Sequence, residues 1–232
     1  MPPVANDAEC WQWLELPEMP VVRHVFPGTG GRPRATVQPT MASLADEVAA
    51  GYEGPLDLVG VSLGGVVAQH LALRHPDRVR SLLVACTGAS ADRETMERRA
   101  ADSEALGMAG MLDDTLERWF TPEFLASEEA PPALAYARSV LLALDPACFA
   151  DQWRAIAGHD ATARLGEIAV PTTALAGTAD RASPPERTRV ISDGVQRGRL
   201  VVLEGPHMMH LERPRELSAA IADHLRWAGA LE

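Results

Sequence analysis

Short runs of apolar and β-branched residues recur along the chain, and segments with helical spacing separate them. The runs cover residues 21–26, 56–61, 79–85, 172–176 and 200–203. Each is followed by Gly, Pro or small polar residues. Continuous apolar runs of this length are typical of strands buried on both faces, as in a parallel sheet. The pattern therefore predicts a mostly parallel sheet.

Helical patterns fill the segments between these runs. Ser43 and Asp46 form a possible capping box, which predicts a helix that runs through Ala50. Residues 64–74 predict a second helix, which Pro76 ends. The last helix has an apolar stripe of Leu217, Ile221 and Leu225. Alternation of strands and helices is typical of an α/β fold.

Residues 91–165 interrupt this alternation with a helix-rich and partly aromatic segment. Within it, Asp145 followed by Pro146 predicts a helix start. The strand pattern resumes directly afterwards, so we expect a core of residues 1–90 and 166–232 and a helical cap insertion of residues 91–165. A separate helical domain is the alternative.

Composition narrows the classes of partner and compartment. The formal net charge of −11 argues against non-specific binding to nucleic acid or to an anionic membrane. Three scattered cysteines fit neither a disulfide framework nor a zinc site, and they favour a reducing, cytoplasmic setting. No secretory segment and no run of about 18 apolar residues is present. We expect a small-molecule substrate, while assembly into a homo-oligomer stays open.

The first candidate catalytic residue lies in a G-x-S-x-G motif. Gly60, Ser62 and Gly64 occupy its fixed positions, and Gly65 extends it. The glycines allow a tight turn from strand to helix, and this turn exposes the serine hydroxyl as a nucleophile. An apolar run precedes Ser62 and a helical pattern follows it. The alternative is a surface serine in a glycine-rich turn.

A serine hydroxyl needs a base and an acid that orients the base. His207 lies just past the last predicted strand, where parallel sheets place their sites, and His210 is the alternative base. The other five histidines fit structural or solvated positions better. Asp180 follows the preceding strand and precedes the histidine, as the order serine, acid, histidine requires. Its competitors are Asp160 and Glu204, and a turn-forming role for Asp180 stays open.

Together these motifs resemble the cofactor-free α/β-hydrolases, and among them the 3-oxoadipate enol-lactonase-like esterases and lactonases. The resemblance runs from about Asn6 to the end of the chain and rests on residues 27–31, 60–65, 75–79, 145–160, 171–185 and 207–214. It implies an α/β-hydrolase fold and a catalytic triad of Ser62, His207 and Asp180. It implies no metal and no organic cofactor.

The resemblance also implies an oxyanion hole formed by the backbone N–H of Leu63 and by that of Val4, with Ala5 as the alternative to Val4. Such families have about three strands before the segment that Trp11 matches, so an N-terminally shortened sheet is expected here. Val4 would then lie on a flexible terminus. Backbone groups beside the strand that leads to the nucleophile would be left unpaired, unless the strand of residues 21–26 closes the gap. A start site upstream of Met1 and a degenerate enzyme are both compatible with this departure.

The function that follows is hydrolysis of a small ester or lactone through an acyl-enzyme. An apolar substrate pocket is expected from Trp119, Phe120, Phe124, Trp153, Met208 and Met209, although packing explains each of them equally well. Pro206 stands where the family has glycine before the catalytic histidine, which would shift the imidazole. Two alternatives remain: a catalytically impaired binding protein, and an acyltransferase or C–C hydrolase that uses the same triad.

Overall fold

Four parallel strands form one sheet in the computed structural model, which describes residues 1–127 and 131–231. The strands are β1 (Leu56–Val61), β2 (Val79–Ala85), β3 (Thr172–Gly177) and β4 (Gly198–Leu203), and they lie side by side in this order. β3 is buried along its whole length and β2 at all but one position. The predicted parallel sheet and the α/β class are confirmed.

Helices connect the strands, because two parallel neighbours need a crossover. The described helices are α1 (Met41–Gly51), α2 (Leu63–Arg74), α3 (Arg93–Trp119), α4 (Pro122–Leu125), α5 (Pro132–Ala143), α6 (Pro146–Ala157), α7 (Pro185–Gly194), α8 (Met209–Glu212) and α9 (Pro214–Trp227). α2 connects β1 to β2, and α7 connects β3 to β4. Each crossover therefore begins at the carboxyl end of a strand.

Helices α3 to α6 lie between β2 and β3, where the sequence predicts a helical insertion. Ser90 and Asp160 form an isolated antiparallel bridge, so the segment leaves and re-enters the sheet region at one place. α3 is bent at Gly107, which has a φ of 67°. Asp145 caps α6 with Pro146 in its first turn, as predicted. The domain boundaries at 91 and 165 stay a prediction.

The start of α1 differs from the sequence prediction. The N-cap is Thr40, whose hydroxyl accepts the Ser43 N–H at 3.0 Å, while the Ser43 hydroxyl accepts the Thr40 N–H at 2.9 Å. The predicted box of Ser43 and Asp46 is therefore wrong by one turn. The Asp46 carboxylate instead binds Arg74 on α2.

Residues 21–26 form no strand, so that prediction is wrong. Val21 and Val22 are 48% and 62% exposed, and the buried residues of the segment are His24 and Phe26. The segment lines a cavity of about 340 Å³ beside β1 and does not pair with that strand. An apolar run predicts a strand only when a partner lies within hydrogen-bonding distance, and the run itself does not reveal the partner.

The amino terminus pairs with the edge of β1. The Met1 amine donates to the Val59 carbonyl at 2.7 Å, and the Val61 N–H donates to the Met1 carbonyl at 3.2 Å. Burial lowers the pKa of the Met1 amine to about 5. Val4, further along, is fully buried. The expected flexible terminus is therefore wrong, because backbone pairing and burial hold it against the sheet.

No single helix in the described ranges is long and apolar enough to cross a membrane. The bent pair of α5 and α6, with 99° between the two helices, meets the requirement by length and composition only.

The packing of α5 can be tested with two adjacent leucines. Leu141 is fully buried and Leu142 is 51% exposed. We expect Leu141→Ala to lower the free energy of unfolding by about 2–5 kcal/mol, because it leaves a cavity, and Leu142→Ala to change it by less than about 0.5 kcal/mol. Urea denaturation measures both. Equal losses in the two variants would show that α5 does not pack as described.

Candidate active site

Three strands end at one edge of the sheet, and each is followed by one of the predicted site residues. Ser62 directly follows β1, Asp180 lies three residues past β3, and His207 lies four residues past β4. The carboxyl ends of parallel strands share an edge, so residues from distant parts of the chain converge there. The fold therefore places all three candidates on the same side of the sheet.

Ser62 occupies a strained turn between β1 and α2. Its φ of 51° and ψ of −115° are rare for a residue with a side chain. The Ser62 N–H donates to the Ala85 carbonyl at 2.9 Å, which ties the turn to β2. A Cβ on Gly60 would collide with the Gly64 backbone. The glycine spacing of the motif is thus required by this tight turn.

His207 and Asp180 form a buried pair. The His207 Nδ1 lies 3.0 Å from each of the two Asp180 carboxylate oxygens. The Oδ1 atom also accepts the N–H groups of Ala182 and Ser183, each at 2.8 Å. A carboxylate fixed in this way accepts the Nδ1 proton and so leaves Nε2 as the accepting nitrogen.

Backbone pairing between the loops after β3 and β4 produces this contact. The Thr178 N–H donates to the Leu203 carbonyl and the Ala179 N–H to the Gly205 carbonyl, both at 2.9 Å. The parallel ladder thereby continues past the strand ends. Pro206, which the sequence suggested would displace the following imidazole, does not prevent the contact with the carboxylate.

Ser62 and His207 line one small cleft of about 60 Å³, to which Leu63, Trp119 and Trp153 also contribute. Trp119 comes from the end of α3 and Trp153 from α6, so the helical insertion forms part of the wall. The Ser62 hydroxyl and the His207 ring make no hydrogen bond to each other in the described ranges. In the absence of substrate such contacts are often long, and they tighten in the complex.

Phe120 and Met208, two other predicted pocket residues, lie outside this cleft. Phe120 is buried and stacks on Phe124, with 5.1 Å between the ring centres. Met208 is buried, and its N–H donates to the Trp119 carbonyl at 3.0 Å. Both side chains therefore pack behind the residues that line the cleft.

The two predicted oxyanion donors lie in different surroundings. Leu63 is the first residue of α2, and no protein acceptor for its N–H is found in the described part of the chain. The same holds for the Val4 N–H. The next N–H, that of Ala5, already donates to Gln152 Oε1 at 2.8 Å. The helix start thus supplies an available donor beside the nucleophile.

None of the competing candidates forms a hydrogen bond with Ser62 or with the His207–Asp180 pair in the described ranges, although His159 lines the same cleft. His210 is fully buried, and neither ring nitrogen has a partner within residues 1–127 and 131–231. Asp160 is exposed and accepts the Thr162 N–H, and Glu204 is exposed. The other five histidines bond to partners other than Ser62 and Asp180: His24, His70, His75, His159 and His224. Within the same described ranges, no three His, Cys, Asp or Glu side chains are grouped as a metal site requires.

Sequence reasoning missed three cations in the cleft. Arg99 and Arg118 from α3 and Arg187 from α7 contribute to its lining. Along the sequence they look like ordinary charges on solvated helix faces. Only the fold, including the bend of α3, brings them beside Ser62.

Comparison with known sequences identifies relatives. A family profile described as "Alpha/beta hydrolase family" matches residues 5–220. The chain is 29% identical to a pimeloyl-[acyl-carrier protein] methyl ester esterase of Chromobacterium violaceum over 86% of its own length and 81% of that protein. It is 26% identical to 3-oxoadipate enol-lactonase 2 of Acinetobacter baylyi over 70% of its length, and this match spans 60% of the lactonase.

Comparison with solved structures agrees. The enol-lactonase from Burkholderia xenovorans LB400 superposes with a TM-score of 0.89 at 25% identity, covering 97% of this chain and 89% of that one. The resemblance suggested by the motifs is thus shown at the level of the family and the fold.

The buried His210 provides a test of the site's packing through pH. Burial, with a smaller effect of His207, lowers the pKa of His210 to about 3. In the unfolded chain His210 binds a proton as the pH falls below about 6.5, whereas in the folded chain it stays neutral down to about pH 3. The free energy of unfolding therefore decreases as the pH falls from 6.5 towards 3. At pH 5 this loss is about 2 kcal/mol for one such group.

Urea denaturation gives the free energy of unfolding at pH 7.5 and at pH 5 for each protein. We expect the decrease between these two pH values to be about 2 kcal/mol smaller for His210→Phe than for the wild type. Part of the loss remains, because burial lowers the pKa of His24, His70 and His224 to about 4. An unchanged loss would contradict the burial of a neutral His210.

Proposed function

Because this chain belongs to the alpha/beta hydrolase family, we propose that it is a cofactor-free serine hydrolase that cleaves a small ester or lactone. The observation that carries the proposal is the His207–Asp180 pair, whose imidazole lines the same cleft as the strained Ser62. The names of the relatives, esterases and lactonases, support the same reaction class.

In the first half of the reaction, His207 Nε2 takes the proton from Ser62 Oγ while Oγ attacks the carbonyl carbon of the ester. The carbonyl oxygen becomes negative, and the Leu63 N–H donates to it. Asp180 stabilises the imidazolium that forms. As the tetrahedral intermediate collapses, the imidazolium gives its proton to the departing alcohol oxygen, and an acyl-enzyme remains.

In the second half, His207 takes a proton from a water molecule that attacks the acyl carbon. Collapse of the second tetrahedral intermediate returns the proton to Ser62 Oγ and releases the carboxylic acid. In a lactone the departing oxygen stays attached to the acyl group, so one hydroxy acid is the product. These steps use the triad, the Leu63 N–H and water.

The cleft supports a small substrate. Its size of about 60 Å³ leaves little room for a large acyl group unless side chains move. Trp119 and Trp153 offer apolar surface for the carbon skeleton. Both come from the insertion of residues 91–165, which we therefore propose as a cap over the active site.

One observation favours a second candidate, a binding protein that has lost activity. The Ala5 N–H is occupied by Gln152, and Val4, whose N–H is available, does not line the cleft that contains Ser62, so the described residues of the amino-terminal loop add no second oxyanion donor to that cleft. Loss of one such donor typically lowers turnover by about 10²–10³-fold.

An acyltransferase or a C–C hydrolase with the same triad would give products other than the free acid of an ester. Product analysis would identify such an enzyme.

Ser62 can be tested directly with a fluorophosphonate probe and p-nitrophenyl acetate. We expect Ser62→Ala to abolish labelling and to lower kcat/KM by at least about 10³-fold, because the nucleophile is lost. Ser139, exposed on α5, gives the control Ser139→Ala, which should label and turn over as the wild type does. A folded wild type that is neither labelled nor active would favour the binding protein.

The role of Asp180 can be tested by comparison with Asp160, the competing candidate for the acid. We expect Asp180→Asn to lower kcat by about 10³–10⁴-fold, because an amide in this position favours the wrong imidazole tautomer. Asp160→Asn, which changes an exposed carboxylate, should alter kcat by less than twofold. Equal effects of the two substitutions on ester hydrolysis would remove Asp180 from the mechanism.

A further inference from the structure

The cavity of about 340 Å³ beside β1 is separate from the candidate active site. It shares no lining residue with the cleft that contains Ser62. Its walls come from residues 14–24, from α1, from β1 and from α9. The volume falls within the range of about 300–1,000 Å³ that is typical of small-molecule sites. The cavity is therefore large enough for a ligand of its own.

Apolar side chains form most of the wall of this cavity. Val48 of α1, Leu58 of β1 and Leu225 of α9 are buried where they line it. Val21 and Val22 also line it, but they are 48% and 62% exposed and so lie at its mouth. An apolar cavity of about 150 Å³ holds benzene, so this cavity has room for about 8–12 carbon atoms of a flexible chain.

Most polar side chains of the wall already have partners within the protein. The His24 Nδ1 atom lies 3.0 Å from the Tyr52 hydroxyl oxygen. The Asp57 carboxylate accepts hydrogen bonds from Arg80, at 3.0 Å from its Nε, and from the Ser81 hydroxyl at 2.6 Å. These groups therefore add little charge to the cavity.

Arg23 differs from these groups because its charge is not compensated. It lines the cavity and is exposed, and within residues 1–127 and 131–231 it makes no hydrogen bond and no ion pair. The other cation of the wall, Arg80, is paired with Asp57. Burial lowers the pKa of the Met1 amine to about 5, so this amine is largely neutral at pH 7. An apolar interior with one cation at its mouth matches an aliphatic chain with one anionic end.

We propose that the cavity beside β1 binds a medium-chain aliphatic carboxylate. The chain occupies the apolar interior and covers the exposed faces of Val21 and Val22, and the carboxylate lies against Arg23. Each methylene that leaves water stabilises the complex, while the guanidinium fixes the orientation of the chain. The site involves none of the residues that line the cleft of Ser62, so it is independent of the proposed hydrolase function.

The length of the chain tests the interior of the cavity. Calorimetric titration uses saturated carboxylates from hexanoate to tetradecanoate, each below its micelle concentration. We expect each added CH₂ to lower Kd by about fourfold up to about 10–12 carbons, because each is removed from water. Longer chains should gain nothing, since their extra carbons stay in solvent. A lack of saturable binding, or a Kd that keeps falling up to tetradecanoate, overturns the site.

The charged end is tested by comparing decanoate with 1-decanol. We expect decanoate to bind the wild type about 3- to 10-fold more tightly than 1-decanol, and Arg23→Gln to remove this difference. Arg197→Gln, at another exposed arginine that does not line the cavity, is the matched control and should keep the difference. Equal binding of the two ligands to the wild type overturns the role of Arg23.

The location needs its own test, because a carboxylic acid is also a product of the proposed hydrolase. Val22→Asp places a negative charge at the mouth of the cavity, and we expect it to weaken decanoate binding by about 10-fold. Val190→Asp, at a valine that is 43% exposed on α7, is the control and should leave Kd unchanged. If Val22→Asp leaves Kd unchanged, decanoate binds elsewhere and the site is overturned. None of these titrations depends on ester hydrolysis, so the two proposals fail separately.

Discussion

The site depends on a parallel ladder that does not stop where the strands do. Hydrogen bonds from Thr178 to Leu203 and from Ala179 to Gly205 continue the pairing of β3 and β4 into the following loops. This pairing fixes the distance between the two loops, and therefore the contact between His207 and Asp180. Packing alone would allow the two side chains to adopt other rotamers, whereas a backbone ladder holds their Cα atoms in register.

How well the sequence predicts the structure depends on how local the determining interactions are. The four strands of the sheet, the turn at Ser62 and the cap at Asp145 are set by short patterns, and all are present. The strand predicted at residues 21–26 needs a distant backbone partner, and Met1 occupies part of the β1 edge instead. The start of α1 was missed because Thr40 competes with Ser43 for the same cap, and spacing alone does not rank the two.

The site itself was predictable only in part for the same reason. Ser62, Asp180 and His207 each follow an identifiable strand, so chain order and strand ends are enough to select them as candidates. Arg99 and Arg118 carry no such signal, because their place in the cleft depends on the bend of one helix at Gly107. Phe120 and Met208 have the right hydrophobicity for a pocket, but the structure buries them behind its wall. Hydrophobicity does not tell which way a side chain next to a helix end, such as Phe120 after α3 or Met208 before α8, faces.

The buried amine of Met1 has a practical consequence for anyone who produces this protein. An affinity tag fused to that end would replace the amine, which donates to Val59, with a peptide bond, and the added residues would begin beside β1. Such a fusion alters the edge of the strand that ends at the nucleophile. A tag placed after α9, whose last residue Trp227 is partly exposed, leaves the Met1 amine and its hydrogen bond to Val59 unchanged.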